Sequence, residues 1–238
     1  MDKVELRNLV KQDYTMKESL RALRTNLQFC GDDVKVILVT SSMPDEGKST
    51  VIVNLARSLT EARKNVLIID TDMRKSVLAA RLRATPVNGD EIYGLSHFLS
   101  GQKSIKEVFY STSVPRMFMV FAGPSVPNPT EILEKHYFEE LIKFARSNFD
   151  YVLIDCSPIG ATIDAAVVAK HCDGAIMVIA QGQVGRPMIN ASVKQLEASG
   201  VRILGAVLNK VKMSKGSYGK YYGKYYGKYY GNYGENKG

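Results

Sequence analysis

Four consecutive residues, Gly47-Lys48-Ser49-Thr50, are of the types that hold a phosphate. They close the stretch Val36-Ile-Leu-Val-Thr-Ser-Ser-Met-Pro-Asp-Glu-Gly-Lys-Ser-Thr50, where an apolar, β-branched run ends in a turn and a helical pattern opens with Val51-Ile-Val-Asn54. Strand, loop and helix N-terminus in that order is the P-loop arrangement. The loop amides and the unsatisfied N–H groups at the helix start make an anion hole, and the helix dipole adds partial positive charge. Lys48 would reach the β- and γ-phosphates of ATP, the Ser49 hydroxyl would hold Mg²⁺, and Gly47 would let the backbone approach closely. The residues expected to contact the nucleotide are Ser42, Pro44, Asp45, Glu46, Gly47, Lys48, Ser49 and Thr50. The pattern G-x-x-x-x-G-K-[ST] asks for glycine where this chain has Ser42.

Carboxylates follow at two strand ends. Asn65-Val-Leu-Ile-Ile-Asp-Thr-Asp-Met-Arg74 is a continuously apolar run ending in Asp70 and Asp72, and Tyr151-Val-Leu-Ile-Asp155 is a second, followed by Cys156-Ser-Pro158. In open α/β sheets ligands bind at the carboxyl ends of strands, which aims Asp70 and Asp72 at the phosphate loop; ordinary turn aspartates are the alternative. The second run is the Walker B pattern, in which Asp155 orders Mg²⁺, usually through water. Asn209 closes the last strand, where a purine ring often sits in nucleotide folds.

The elements needed to position these groups can be read from periodicity. A helix is expected over Met16 to Phe29, with Leu20, Leu23 and Leu27 as its apolar stripe and Glu18, Arg21 and Arg24 on another face. That second face is either solvated, with an i,i+3 ion pair, or a self-association surface where Arg forks meet a neighbour's carboxylates. The helix after the loop should run from Ser49 to about Ala62. Between Lys75 and Pro115 only two helical turns, 95–99 and 104–109, stand out, and His97 reads as a surface or half-buried histidine. Met117 to Phe121 is a strand, Asn128-Pro-Thr-Glu131 a capped helix start running to about Ser147, and 164–170 a helix. Strand 174–180, helix 186–198 and strand 202–209 complete the pattern. Strands alternating with helices imply a parallel sheet covered on both faces, a doubly wound α/β fold.

At 238 residues, with 45% hydrophobic and 24% charged residues, the chain has the make-up of an ordinary globular protein. The net charge is +8, but five lysines against one glutamate put +4 of it in the last 25 residues, which argues against a basic nucleic-acid face on the fold itself. The N-terminus lacks a signal-peptide core, and the longest apolar runs fall far short of the ~20 residues of a membrane helix. Cys30, Cys156 and Cys172 fit no metal spacing and suggest reduced thiols. A soluble, cytoplasmic protein is expected.

From Ser214 the composition breaks into Lys-Tyr-Tyr-Gly repeats carrying Tyr218, Tyr221, Tyr222, Tyr225, Tyr226, Tyr229, Tyr230 and Tyr233. With almost no aliphatic residue the segment is expected to be disordered, dividing the chain into a domain over 1–213 and a tail over 214–238. By composition the phenols could stack on single-stranded nucleic acid, promote prion-like assembly, or accept phosphate.

Together these motifs resemble the bacterial tyrosine kinases (BY-kinases) of capsule and exopolysaccharide synthesis, over nearly the whole chain. Glu18-x-x-Arg21-x-x-Arg24 looks like that family's oligomerisation motif, 41–49 its Walker A with the same serine, 66–74 its additional Walker A′, 151–155 its Walker B, and the tyrosine cluster its autophosphorylation tail. The chain departs from the family at Asp45, where glycine is usual, and at Ser157, where a second proline commonly follows Walker B. Asp45 places a negative charge in a phosphate loop and asks aspartate for a glycine-like backbone, which points to weakened ATP binding.

The resemblance implies phosphoryl transfer from Mg·ATP to tyrosine. Lys48 would neutralise charge, Ser49, Asp72 and Asp155 would organise Mg²⁺, and Asp70 would accept or orient the phenol proton. It also implies a homo-oligomeric ring, with an octamer as one candidate, and a membrane adaptor whose cytoplasmic tail activates the kinase at the inner face of the membrane. A cognate tyrosine phosphatase and protein substrates in polysaccharide synthesis complete the expected partners, with no direct nucleic-acid binding. Two rivals remain at the level of sequence. One is a partition or cell-division ATPase, whose signature lysine is replaced here by Met43; the other is a nucleic-acid binder acting through the basic tyrosine tail.

Overall fold

Runs that are apolar without interruption bury both faces, and such strands belong in the middle of a parallel sheet. The computed structural model describes residues 1–89 and 91–211. In chain order its elements are β1 (Asp2–Leu6), α1 (Tyr14–Gln28), β2 (Val36–Ser41), α2 (Lys48–Glu61), β3 (Val66–Asp70) and α3 (Leu78–Leu82). Then come β4 (Ala84–Pro86), α4 (Leu95–Leu99), α5 (Ile105–Val108), β5 (Tyr110–Thr112), β6 (Met117–Val120) and α6 (Pro129–Leu133). The last six are α7 (His136–Asn148), β7 (Tyr151–Asp155), α8 (Asp164–Ala169), β8 (Gly174–Ala180), α9 (Arg186–Ala198) and β9 (Ile203–Asn209).

The strands form one sheet in the order β4-β1-β5-β6-β3-β7-β2-β8-β9. From β6 to β9 every pairing is parallel; β1–β4 and β5–β6 are antiparallel. The mostly parallel, doubly wound architecture expected from the alternating pattern is therefore present. Because β3, β7 and β2 are neighbours, the phosphate loop and the two acidic strand ends open on one edge of the sheet.

Each face of the sheet has its own core. Val36 and Leu38 of β2 point to the face covered by α4, α6, α7, α8 and α9, while Ile37 and Val39 point to the face covered by α1, α2 and α3. All four are fully buried, and truncating one such side chain to alanine should cost about 2–5 kcal/mol. No helix among the described residues is long and apolar enough to cross a membrane.

Several expectations need correction. The single helix expected from Asn128 to Ser147 is two, α6 and α7, separated at extended Lys135. Leu133 and Phe138 are both fully buried, yet five residues of one helix would turn them roughly 140° apart, so the break realigns the second stripe with the core. Pro129 does occupy the first turn of α6, but Asn128 makes no side-chain cap hydrogen bond. Strands β1, β4 and β5 and helix α3 were not anticipated. In β1, buried Val4 and Leu6 alternate with exposed Lys3 and Glu5, a period of two too short to stand out. Helix α1 starts at Tyr14, two residues before Met16, because the Asp13 carboxylate caps it by accepting from the Met16 N–H at 2.8 Å. The eight tail tyrosines and the segment 214–238 lie outside the described residues.

Candidate active site

The phosphate loop leaves β2 on a fixed base. The Thr40 hydroxyl donates to the Ser157 carbonyl at 2.9 Å, and the Ile159 N–H donates to the Ser41 carbonyl at 2.9 Å, tying the loop's entry to the segment after β7. Gly160 packs so closely that a Cβ there would lie 2.3 Å from the Ser42 carbonyl oxygen. Ser42 itself is buried, its hydroxyl without a partner. At the far end Gly47, with φ +93°, caps α2, and a Cβ there would fall 2.1 Å from Nδ2 of Asn209. Only glycine fits. Asp45 has φ +62°, the left-handed conformation anticipated at this glycine-type position, and its side chain is exposed.

The side chain of Glu46 is engaged inside the protein. It is fully buried, one carboxylate oxygen accepting from the Met43 N–H at 2.8 Å and the other from the Ala180 N–H at 3.1 Å. The side chain is a strut across the loop, which leaves its backbone amide as the group free to face a phosphate. Asn209 also touches the loop. Its amide nitrogen donates one hydrogen to the Glu46 carbonyl at 2.9 Å, which ties the end of β9 to the loop and leaves a second N–H and Oδ1 outside that bond.

Beside the loop, Asp70 and Asp155 end β3 and β7 in register. Thr71 locks the two strand ends together, donating to the Asp155 carbonyl from its N–H at 2.8 Å and from its hydroxyl at 2.9 Å. Burial, reinforced by the charge of Asp155, raises the Asp70 carboxyl well above its ordinary range, although the Ser76 hydroxyl at 2.5 Å and the Asp72 N–H at 3.0 Å both donate to it. Burial likewise pushes Asp155 up to about 6, partly offset by a hydrogen bond from the Ser49 side chain and by the charge of Lys48. Asp72, half-buried, accepts from the Lys75 N–H at 3.1 Å. Lys48, Ser49, Asp70, Asp72 and Asp155 are thus brought into one electrostatic neighbourhood.

The residues present fit a magnesium ion. Asp155 lies beside Ser49 and Lys48 yet keeps its Oδ1 buried and unpartnered, an acceptor whose desolvation a cation or its water would relieve. No group of three or more His, Cys, Asp or Glu among the described residues forms a metal cage, and Mg²⁺ seldom uses one: one or two carboxylates, waters and substrate phosphates suffice.

Two supports were missed in the sequence. Arg74 grips buried Asp164 with both arms, Nε–Oδ2 at 2.6 Å and Nη2–Oδ1 at 3.0 Å, and the Thr130 hydroxyl donates to Oδ1 at 2.6 Å. This anchors the loop that carries Asp72. The other support is a set of side chains on the loop's carbonyls: Gln183 donates to Pro44 at 3.2 Å and Lys210 to Asp45. Nothing local in the sequence signals either, since the partners lie 90 to 165 residues apart.

On α1, Glu18 and Arg21 pair with each other on the surface, and Arg24 donates to the Ser58 carbonyl on α2. His97 is half-buried and accepts from the Gly94 N–H at 3.1 Å, a structural role as expected.

Comparison with known proteins places this geometry. Residues 34–185 match a family model described as an AAA domain. The chain is 39% identical over 212 residues to Tyrosine-protein kinase CpsD of Streptococcus agalactiae, covering 89% of this chain and 91% of that protein. Among solved structures, the chimerical protein CapA2B2 superposes with a TM-score of 0.79 at 27% identity, covering 89% of this chain and 94% of the other. The kinase domain of Escherichia coli tyrosine kinase ETK gives 0.74 at 28% identity, covering 84% and 79%.

Proposed function

The chain belongs to the bacterial tyrosine-kinase family and is a protein-tyrosine kinase; we propose that it transfers the γ-phosphate of ATP to tyrosines of its own 214–238 segment, in trans between copies, and to other proteins that control capsular or extracellular polysaccharide synthesis. The observation that carries this reading is the abutment of an anion-binding loop on two buried, paired carboxylates.

Each residue has a definable task. Lys48 and the amides of the loop and of the first turn of α2 bind the phosphates and offset charge that develops during transfer. Ser49, Asp72 and Asp155 would hold Mg²⁺, which when bound neutralises the β- and γ-oxygens. Asp70, with its raised proton affinity, is suited to take the phenol's proton as the oxygen attacks phosphorus and the bond to the β,γ-bridging oxygen breaks. Positioning and electrostatics supply most of such a rate enhancement, which suits a site built on rigid strand ends.

The tyrosine-rich segment supplies acceptors. Its 25 residues, extended at ~3.3 Å each, reach about 80 Å, enough to enter a neighbouring site. Phosphorylating all eight tyrosines adds roughly −12 to −16 against the segment's +4. That reversal would make assembled copies repel, and so cycle a ring of subunits, formed through the Glu18-Arg21-Arg24 face, between closed and dispersed states. A membrane adaptor would recruit and activate the kinase, and a tyrosine phosphatase would reset it.

A mixing experiment tests transfer in trans. A Lys48→Met chain with its tyrosines intact is incubated with Mg·ATP and a chain ending at residue 213. Phosphotyrosine on the Lys48→Met chain is expected; its absence, with the truncated chain still active on other substrates, would contradict trans transfer.

A further inference from the structure

Three successive carbonyls of the phosphate loop are each held by a side chain from outside it. Gln183 Nε2 donates to Pro44 at 3.2 Å, Lys210 Nζ to Asp45, and Asn209 Nδ2 to Glu46 at 2.9 Å. Lys210 Nζ also lies 3.4 Å from Gln183 Oε1, joining two of the three holders. A trans peptide is planar, with its C=O and N–H pointing in opposite directions. Fixing these three carbonyls toward the ends of β8 and β9 therefore turns the N–H groups of Asp45, Glu46 and Gly47 the other way, as a run of consecutive donors. Such a run is the concavity that binds phosphate.

The backbone carries the same mark at both ends of the middle bond. Asp45 has φ +62° and Lys210 φ +56°, left-handed conformations that are uncommon for residues other than glycine and that aspartate tolerates better than lysine. Lys210 is otherwise an exposed residue just past the end of β9.

We propose that Lys210 is a positioning residue for phosphoryl transfer, holding the Asp45 carbonyl so that the loop's amides are preset for the nucleotide's phosphates. It acts through the backbone and does not touch the reacting atoms. The inference rests on the nucleotide reading of the loop and adds a residue outside every motif. In the sequence Lys210 stands eight residues before Tyr218.

The test uses the full chain and a fluorescent Mg·ADP analogue, comparing wild type with Lys210→Ala, Lys210→Arg and Gln183→Ala. Lys210→Ala should bind nucleotide about tenfold more weakly, the scale of one charge-assisted hydrogen bond. In activity assays kcat/KM for ATP should fall by at least the same factor, because the same amides serve the bound phosphates and the charge that develops during transfer. Lys210→Arg, which can still donate to a carbonyl, should recover most of the loss, and Gln183→Ala should show a smaller loss in the same direction. The loss should persist when salt is raised from about 0.1 M to 1 M, because a short contact is screened far less than a distant charge. Wild-type affinity in Lys210→Ala, or a loss that disappears at high salt, would overturn the proposal. Absence of binding by the wild type would overturn the nucleotide reading itself, a distinguishable result.

Discussion

Asp70 and Asp155 stand opposite one another as the last residues of two adjacent parallel strands, both buried, and the charge of Asp155 adds to the cost of ionising Asp70. A fold selected for stability alone would not set two carboxylates there. The arrangement becomes favourable when cationic charge, from Lys48 or a metal ion, is close at hand.

A dependence of stability on pH follows. Burial raises Asp155 from 3.8 to about 6. A group whose folded pKa lies above its unfolded one favours folding while it is protonated, below about pH 4, and that advantage is lost as pH rises through about 6. Asp155→Asn cannot ionise. In nucleotide-free, metal-free protein it should be more stable than wild type at pH 8, by about 1–3 kcal/mol, with the gain vanishing near pH 4. Thermal unfolding at the two pH values reads this out. Equal stability at pH 8 would contradict the assigned burial cost, whereas lower kinase activity together with higher stability is the expected trade-off.

The Arg74–Asp164 pair carries the opposite sign. Burial alone would raise the Asp164 carboxyl, but Arg74 and Thr130 hold it below its ordinary value. Its contribution is therefore present above about pH 4 and is lost as pH falls through the lowered value. Arg74→Ala leaves a buried carboxylate uncompensated and should cost about 2–4 kcal/mol in urea unfolding at pH 7, and much less at pH 3. Arg74→Lys, which keeps the charge but not the two-armed grip, should fall between. A cost that does not change with pH would show that lost packing, not the ion pair, sets it.

What could be read in the sequence is what depends on neighbouring residues. The runs ending in Ser41, Asp70 and Asp155 are apolar on both faces, so the central strands, their parallel pairing and the edge on which they open all followed. Lys48, Ser49 and the three aspartates were legible for the same reason. Three-residue strands such as β4 and β5 carry too few residues to show a period. The break before α7 is a matter of which side chains the core has room for, which local propensity does not encode. The inward turn of Glu46 and the holders Gln183, Asn209 and Lys210 depend on the ends of β8 and β9 meeting the loop, a contact that exists only once the sheet is ordered.

Asp45 offers a gain-of-function change. Its φ of +62° suits glycine, and its carboxylate puts a negative charge in a loop meant for phosphates. Asp45→Gly should tighten Mg·ATP binding by at least about threefold, the scale of removing one solvent-screened like charge a few ångströms away. Calorimetric titration checks it; unchanged or weaker binding would show that the carboxylate points away from the nucleotide.

The central claim is that this loop and these carboxylates pass phosphate from ATP to tyrosine. Purified full chain is incubated with ATP and Mg²⁺, with and without an activating adaptor tail, and phosphotyrosine is read by mass spectrometry in wild type and Lys48→Met. The account predicts phosphate on residues among Tyr218 to Tyr233 in the wild type and none in Lys48→Met. Equal phosphotyrosine in Lys48→Met would contradict it.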